Sequence, residues 1–532
     1  MEKVFYNGCI GTQDGNDDFC EAVGIENGKI SFVGSTEDAM KLDCAEKTDL
    51  QGRLVLPGFT DSHLHILHYS FVENTIKLFD CRSAEDVLKE VDSAARKRNG
   101  EDIPWLFGRG WNEELFNEKR YPLKSELDRI SDTYPILLVR VCGHAAVCNT
   151  PGLEKLKKIK EFQEIESDVD FETGTLRENA VQFFYSVLEA PSLETVENLI
   201  EFGAKSLNEK GITAIQSDDL ASLPGKNWRR IVEAYTDLAE SGRLSVNVYE
   251  QCLFERFDDL KVFIGSGYRT GQSFGNFTIG PVKLIQDGAL GARTAALSQT
   301  YENDADNMGE IIYDQKLLDE IVAYCDEHQM QIAVHCIGDR AMQMVIDAIE
   351  RSPARKSNGK GRHGIVHVQI STKEIIDKMK EDDLIAYIQP VFVDLDMDIV
   401  EQRVGKERTK SSYAWKTLLD EGVLTCGGSD APVDSFDVIE NIYFAVTRCR
   451  LDGTPAGGWM PEQRLSVEEA VRLFTKYPAY ASYSEDRKGT IEVGKDADLV
   501  ILNKNIYRED PLKIKDAKVD MTLLNGETVY MR

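Results

Sequence analysis

Leu54-Val55-Leu56-Pro57-Gly58-Phe59-Thr60-Asp61-Ser62-His63-Leu64-His65 decides how this chain reads. The apolar opening predicts a strand over residues 54–64, and side chains two apart on a strand share a face. His63 and His65 therefore point the same way at the strand's C-terminal end, about 6–7 Å apart along the backbone. Two imidazoles so placed can grip one divalent cation of zinc type. Taken alone, the same pair could be two ordinary histidines at a strand end.

Working outward, β-prone apolar runs recur at 211–217, 244–250, 279–286, 330–335, 363–369, 384–390 and 421–428. Amphipathic helical stretches at 191–209, 226–241, 314–328 and 338–350 lie between several of them. Eight strands with intervening helices predict an α/β chain built on a (β/α)8 TIM barrel. A ninth run, Pro135 to Cys142, does not fit the count, and we assign it to an insertion of about 69–205 after the first barrel strand. The ends differ from the middle: short β-prone runs flank Asn27-Gly28 and Asn525-Gly526, and Asn-Gly supplies the positive φ of a tight hairpin. Neither end has enough strands to cover its own apolar face, so the two are expected to combine into one composite β-sandwich. The expected organisation is 1–56 and 485–532 as the two parts of that sandwich, with 57–484 as the barrel domain.

Four of the 8 histidines in the chain fall on predicted strand ends. His335 ends Gln331-Ile332-Ala333-Val334, and His367 follows Gly364-Ile365-Val366. Barrel active sites are built on the C-terminal rim. Asp430 follows the last strand in Gly427-Gly428-Ser429-Asp430. It reads as a turn aspartate in isolation and, beside a metal, as a ligand and general base. Lys283 stands inside the apolar strand Val282 to Ile285, where an amine is costly unless paired or neutral. Either it pairs with Asp287 or Glu250, or it is a neutral nucleophile able to take up carbon dioxide as a bridging carbamate.

This set resembles the metal-dependent amidohydrolase superfamily, and more closely its N-substituted formamide deformylase-like branch. The marks are residues 58–65, Lys283-Leu284-Ile285-Gln286-Asp287-Gly288, His335-Cys336-Ile337-Gly338-Asp339-Arg340, Gly428-Ser429-Asp430-Ala431-Pro432 and the C-terminal Lys488 to Val500. The resemblance implies His63 and His65 holding one divalent ion with Asp430, and His335 and His367 holding another, with carboxylated Lys283 between them. It leaves the number of ions open. Zinc is the expected metal, with Fe, Mn and Co also compatible with imidazole and carboxylate ligands. The implied reaction is hydrolysis of an amide, N-formyl or N-acyl amine or cyclic amide, with Asp430 moving the proton. His144, Trp111 and Arg293 are the candidate contacts to a small-molecule substrate, and a homodimer is common among similar proteins. Two rivals stay open: deamination of a heterocycle on the same fold, and a catalytically silent regulatory or interaction protein.

Composition sets the outer bounds. Lys plus Arg is 62 against 91 Asp plus Glu, a net charge of −29, so a nucleic-acid or anionic-membrane partner is not expected. The 11 cysteines include no CxxC pair, and no apolar stretch reaches ~18 residues, so a cytoplasmic chain with reduced thiols is expected.

Overall fold

The computed structural model describes residues 1–15, 19–97, 105–187, 190–354 and 361–532. They form two compact units: Met1–Ile66 with Ile200–Ala221 and Ile231–Arg532, and Leu67–Leu199 with Ser222–Arg230.

The first unit holds eight parallel strands: β1 (Phe59–Leu64), β2 (Ile212–Ser217), β3 (Asn247–Leu253), β4 (Phe277–Ile285), β5 (Ile332–Cys336), β6 (Gly364–His367), β7 (Ile385–Ile388) and β8 (Thr425–Gly427). Each pairs with the next in sequence order, from β1–β2 to β7–β8. The backbone after β8 returns to β1, where Asp430 N donates to the His63 carbonyl at 2.8 Å and His65 N donates to the Ala431 carbonyl at 2.8 Å. This return is tight. A Cβ on Gly428 would stand 2.7 Å from His63 N, so a side chain there would force β8 away from β1.

The expected strand 54–64 is two elements. Leu54–Pro57 pairs antiparallel with Leu499–Leu502 in another sheet, and β1 begins only at Phe59. Gly58 is the switch: a Cβ there would lie 2.2 Å from Thr213 Oγ1, so only glycine lets the chain cross from one sheet to the other beside β2.

Helices separate the strands: Trp228–Glu240, Phe257–Gly265, Gln315–Glu327, Asp339–Arg351, Lys373–Glu381 and Trp415–Glu421. Their origin is local. Asp314 caps Gln315–Glu327 by accepting from Leu317 N, and Leu318, Ile321, Val322 and Cys325 then bury one face at helical spacing.

Two further sheets come from the chain ends. One orders Lys29–Gly34, Ala22–Glu26, Lys3–Tyr6 and Glu46–Asp49. The other orders Glu527–Met531, Val519–Leu524, Leu499–Leu502, Leu54–Pro57, Cys9–Gly11 and Phe19–Cys20. Phe5, Val23, Ile30, Val55, Leu499 and Leu523 belong to one buried cluster. Both Asn-Gly turns form, with positive φ at Asn27, Gly28, Asn525 and Gly526.

The second unit is built on a six-stranded sheet that includes Leu106–Trp111, Ile136–Arg140 and Ala145–Cys148. The ninth β-like run of the sequence is therefore a strand of this separate sheet. Among the described residues, no helix is long and apolar enough to cross a membrane, and all 11 cysteines are free.

Candidate metal centre

His63 near the end of β1 and His65 just past it meet Asp430 from the loop after β8. Asp430 Oδ1 lies 2.9 Å from His65 Nε2 and 3.3 Å from His63 Nε2. Lys283 on β4 is 2 % exposed, and its Nζ stands 3.2 Å from His63 Nε2. His367 closes the far side, its ring centroid 5.6 Å from that of His63, and His335 follows at 4.4 Å from His367. One ligand atom each of His63, His367 and Asp430 lies within 4.8 Å of the others, and the same holds for His63, His65 and Asp218. All six residues named for the centre thus come to one rim, from β1, β4, β5, β6 and the loop after β8.

Each imidazole is held from behind through Nδ1. His63 donates to Gln251 Oε1 at 3.0 Å, His335 to Asp287 Oδ1 at 3.0 Å and His367 to Gln389 Oε1 at 2.8 Å, while His65 donates to Asp218 Oδ1. A ring whose Nδ1 carries the proton presents Nε2 as the free ligand atom. Asp287 does more: it also accepts from Ile337 N, Gly338 N at 2.8 Å and Ala296 N at 3.0 Å, which fixes the backbone after β5. His367 and Asp430 take positive φ, 81° and 62°, a costly conformation for residues with a Cβ.

The electrostatics are uneven. Burial, then the ammonium of Lys283, lowers His63 to about 4. Burial, then His335, holds His367 well below the ordinary imidazole value. Burial alone would lower His65 too, but the Asp218 and Asp430 carboxylates override it and raise it well above that value. Asp430 resists burial through its bonds to His63 and His65 and stays well below the usual carboxylate range. Burial pushes Asp61 up to about 7, although Ser429 N and His63 N both donate to it.

The expected partner of Lys283 is corrected. Asp287 is engaged with the chain after β5, and Glu250 accepts from Asp219 N at 2.8 Å. Lys283 Nζ instead donates to Asp218 Oδ2 at 3.1 Å. Sequence reasoning passed over Asp218, Gln251 and Gln389. The available signal was position: Asp218 and Gln389 directly follow β2 and β7, and Gln251 lies two residues before the end of β3.

The three candidate substrate contacts are divided between the two units. Arg293 sits in the loop after β4, with positive φ (59°), its guanidinium 3.6 Å from Asp304 and its Nε buried without a hydrogen-bond partner among the described residues. His144 belongs to the second unit, where its largely exposed ring faces Glu178 at 3.1 Å. Trp111 is fully buried in the core of that unit, its Nε1 donating to the Leu138 carbonyl at 3.0 Å and its ring 4.8 Å from Tyr121. That is the setting of a core residue, with no surface left for a small molecule.

A barrel with histidines and a carboxylate gathered on its C-terminal rim defines a class, the metal-dependent barrel hydrolases. The chain belongs to the amidohydrolase family, whose model matches residues 46–530. It is 31% identical to the Bacillus subtilis protein named amidohydrolase YtcJ, over 100% of this chain and 99% of that one. It is 23% identical to the N-substituted formamide deformylase of Arthrobacter pascens, over 100% of this chain and 98% of that one. A metal-dependent hydrolase of Pyrococcus furiosus has the same fold, with a TM-score of 0.79 at 26% identity, covering 96% of this chain and 100% of that one. Hydrolysis of a small molecule with a divalent metal follows from this membership.

Proposed function

We propose that this chain hydrolyses a C–N bond in a small amide, an N-formyl or N-acyl amine or a cyclic amide, with Asp430 as general base and then general acid. The carrying observation is the convergence of His63, His65, His335, His367, Lys283 and Asp430 on one rim. The bond type is supported by the likeness to a deformylase of N-substituted formamides.

The donor set fits a divalent metal. Imidazole nitrogens and carboxylate oxygens face one space, and each ring is held through Nδ1 from behind. Such donors suit zinc and also accept Fe, Mn or Co. His63, His65 and Asp430 would hold one ion, and His335 and His367 a second, with Lys283 as a carbamate between them. A divalent cation there lowers the pKa of a coordinated water and polarises a carbonyl.

The chain's own residues supply the rest. Asp430, ionised beside His63 and His65, takes a proton from the attacking water and delivers it to the departing nitrogen. Asp287, Gln251 and Gln389 keep the rings from turning. No side chain need become acylated. We read the two sheets from the chain ends, with their common buried cluster, as the composite β-sandwich beside this barrel.

The test is a screen of N-formyl amines, N-acyl amines and cyclic amides against protein of measured metal content, as wild type and as Asp430→Asn. The wild type should release acid and amine. The variant should lose roughly 10²–10⁴-fold in kcat while keeping the wild-type far-UV circular dichroism spectrum. Equal turnover by both proteins would remove Asp430 from the mechanism, and release of ammonia would point to the deaminase reading.

A further inference from the structure

Asp218 follows β2 directly and is 2 % exposed. Its backbone is fixed: Asp218 N donates to the Leu64 carbonyl at 3.1 Å, and the neighbouring Ser217 Oγ accepts from Ile66 N at 3.0 Å. The two carboxylate oxygens serve different strands. Oδ1 accepts from His65 Nδ1 of the β1 segment, and Oδ2 accepts from Lys283 Nζ of β4 at 3.1 Å. The same His65 ring presents Nε2 to Asp430, and the same Lys283 Nζ stands 3.2 Å from His63. A buried carboxylate is tolerated only when it is paired, and this one is paired twice, with two members of the metal centre.

We propose that Asp218 is a positioning residue that joins the two halves of the centre, fixing the tautomer of His65 and the place of the Lys283 nitrogen with one side chain. This rests on the metal-dependent reading above. The geometry requires a carboxylate and not merely a polar group. An amide has one accepting atom and one donating atom. If its oxygen faced Lys283, its NH2 would face His65 Nδ1 and shift the ring proton to Nε2, where it blocks the ligand atom. If its oxygen faced His65, its NH2 would face the lysine nitrogen, which is itself a donor. Either orientation spoils one contact.

The experiment measures zinc affinity by chelator competition for wild type, Asp218→Asn, Asp218→Glu and, as a control, Asp219→Asn. Asp219 is also buried, and its Oδ2 accepts from the Tyr235 hydroxyl at 2.6 Å. Asp218→Asn should weaken zinc binding by about 10–100-fold, the usual effect of removing the group behind a metal-bound histidine. Asp218→Glu should recover part of the loss, and Asp219→Asn should bind as wild type. Imidazole ¹⁵N spectra of the zinc-loaded wild type give a readout that needs no variant to fold, and His65 should keep its proton on Nδ1. Wild-type zinc affinity in Asp218→Asn, or a His65 without that proton, would overturn the proposal while leaving the hydrolase reading standing. A wild type that takes up neither zinc nor Fe, Mn or Co would overturn both.

Discussion

His65 and His367 stand at opposite corners of one centre and are prepared by opposite means. His65, a quarter exposed at its side chain, lies between two carboxylates, Asp218 behind and Asp430 in front. His367 is buried, has an amide behind it in Gln389, and packs against Phe392 with ring centroids 6.1 Å apart. The carboxylates raise His65, whereas burial and then His335 lower His367. One corner attracts a cation by negative charge, and the other offers a lone pair already free of its proton. The surroundings of each ring set that difference: two carboxylates override burial and hold a proton on His65, and burial with a neighbouring imidazole keeps His367 neutral.

The largest test of this contrast is at β5, where Asp287 supports His335 and three backbone N–H groups together. Asp287→Ala leaves those donors buried without a partner. It should cost about 3 kcal/mol or more of stability in urea denaturation, beyond any effect on metal binding. A cost well under 1 kcal/mol would mean that the chain after β5 keeps its shape unaided.

The next test is the split in titration. In metal-free protein followed by NMR, His63 should stay neutral down to about pH 4, and His367 should remain neutral well below its ordinary midpoint. His65 should remain protonated well above pH 6.5. The signs follow by linkage. The depressed groups, His63 and His367, contribute stability that is present above about pH 6.5 and lost as pH falls through their folded values; for His63 this is on the order of 3 kcal/mol. His65 contributes stability that is full below about pH 6.5 and lost as pH rises through its folded value. Asp61, pushed up to about 7, opposes His63 across the same acid range. The melting temperature therefore sums cancelling effects, and residue-resolved titration is the deciding measurement. Coincident midpoints for His65 and His367 would erase the contrast between the corners.

The smallest effect is expected outside the barrel unit. His144 is mostly exposed and pairs with exposed Glu178, so His144→Ala should change stability by no more than about 0.5 kcal/mol. A rise in KM at unchanged stability would then report contact with substrate, and unchanged KM would make His144 a plain surface residue.

Much of this was legible because period and position carry it. The β runs and the His-x-His alternation are local, so the strands from 211–217 onward and the faces of His63 and His65 could be read from neighbours alone. The break at Gly58 was hidden, because it depends on how closely Thr213 of β2 approaches. The role of Asp218 was hidden for the same kind of reason: beside Asp219 it reads as a turn residue, and its hold on Lys283 exists only once β2 and β4 face one another across the barrel. Trp111 shows another limit: its type alone suits the core at least as well as a pocket wall, and its burial depends on Tyr121 and on Leu138, 27 residues on.

The antiparallel match of Leu54–Pro57 with Leu499–Leu502 sets a schedule for biosynthesis. The early strand leaves the ribosome long before its mate exists, a delay on the order of tens of seconds at ordinary elongation rates. During that interval the apolar edge that Leu499–Leu502 later covers stands open to pairing with another chain.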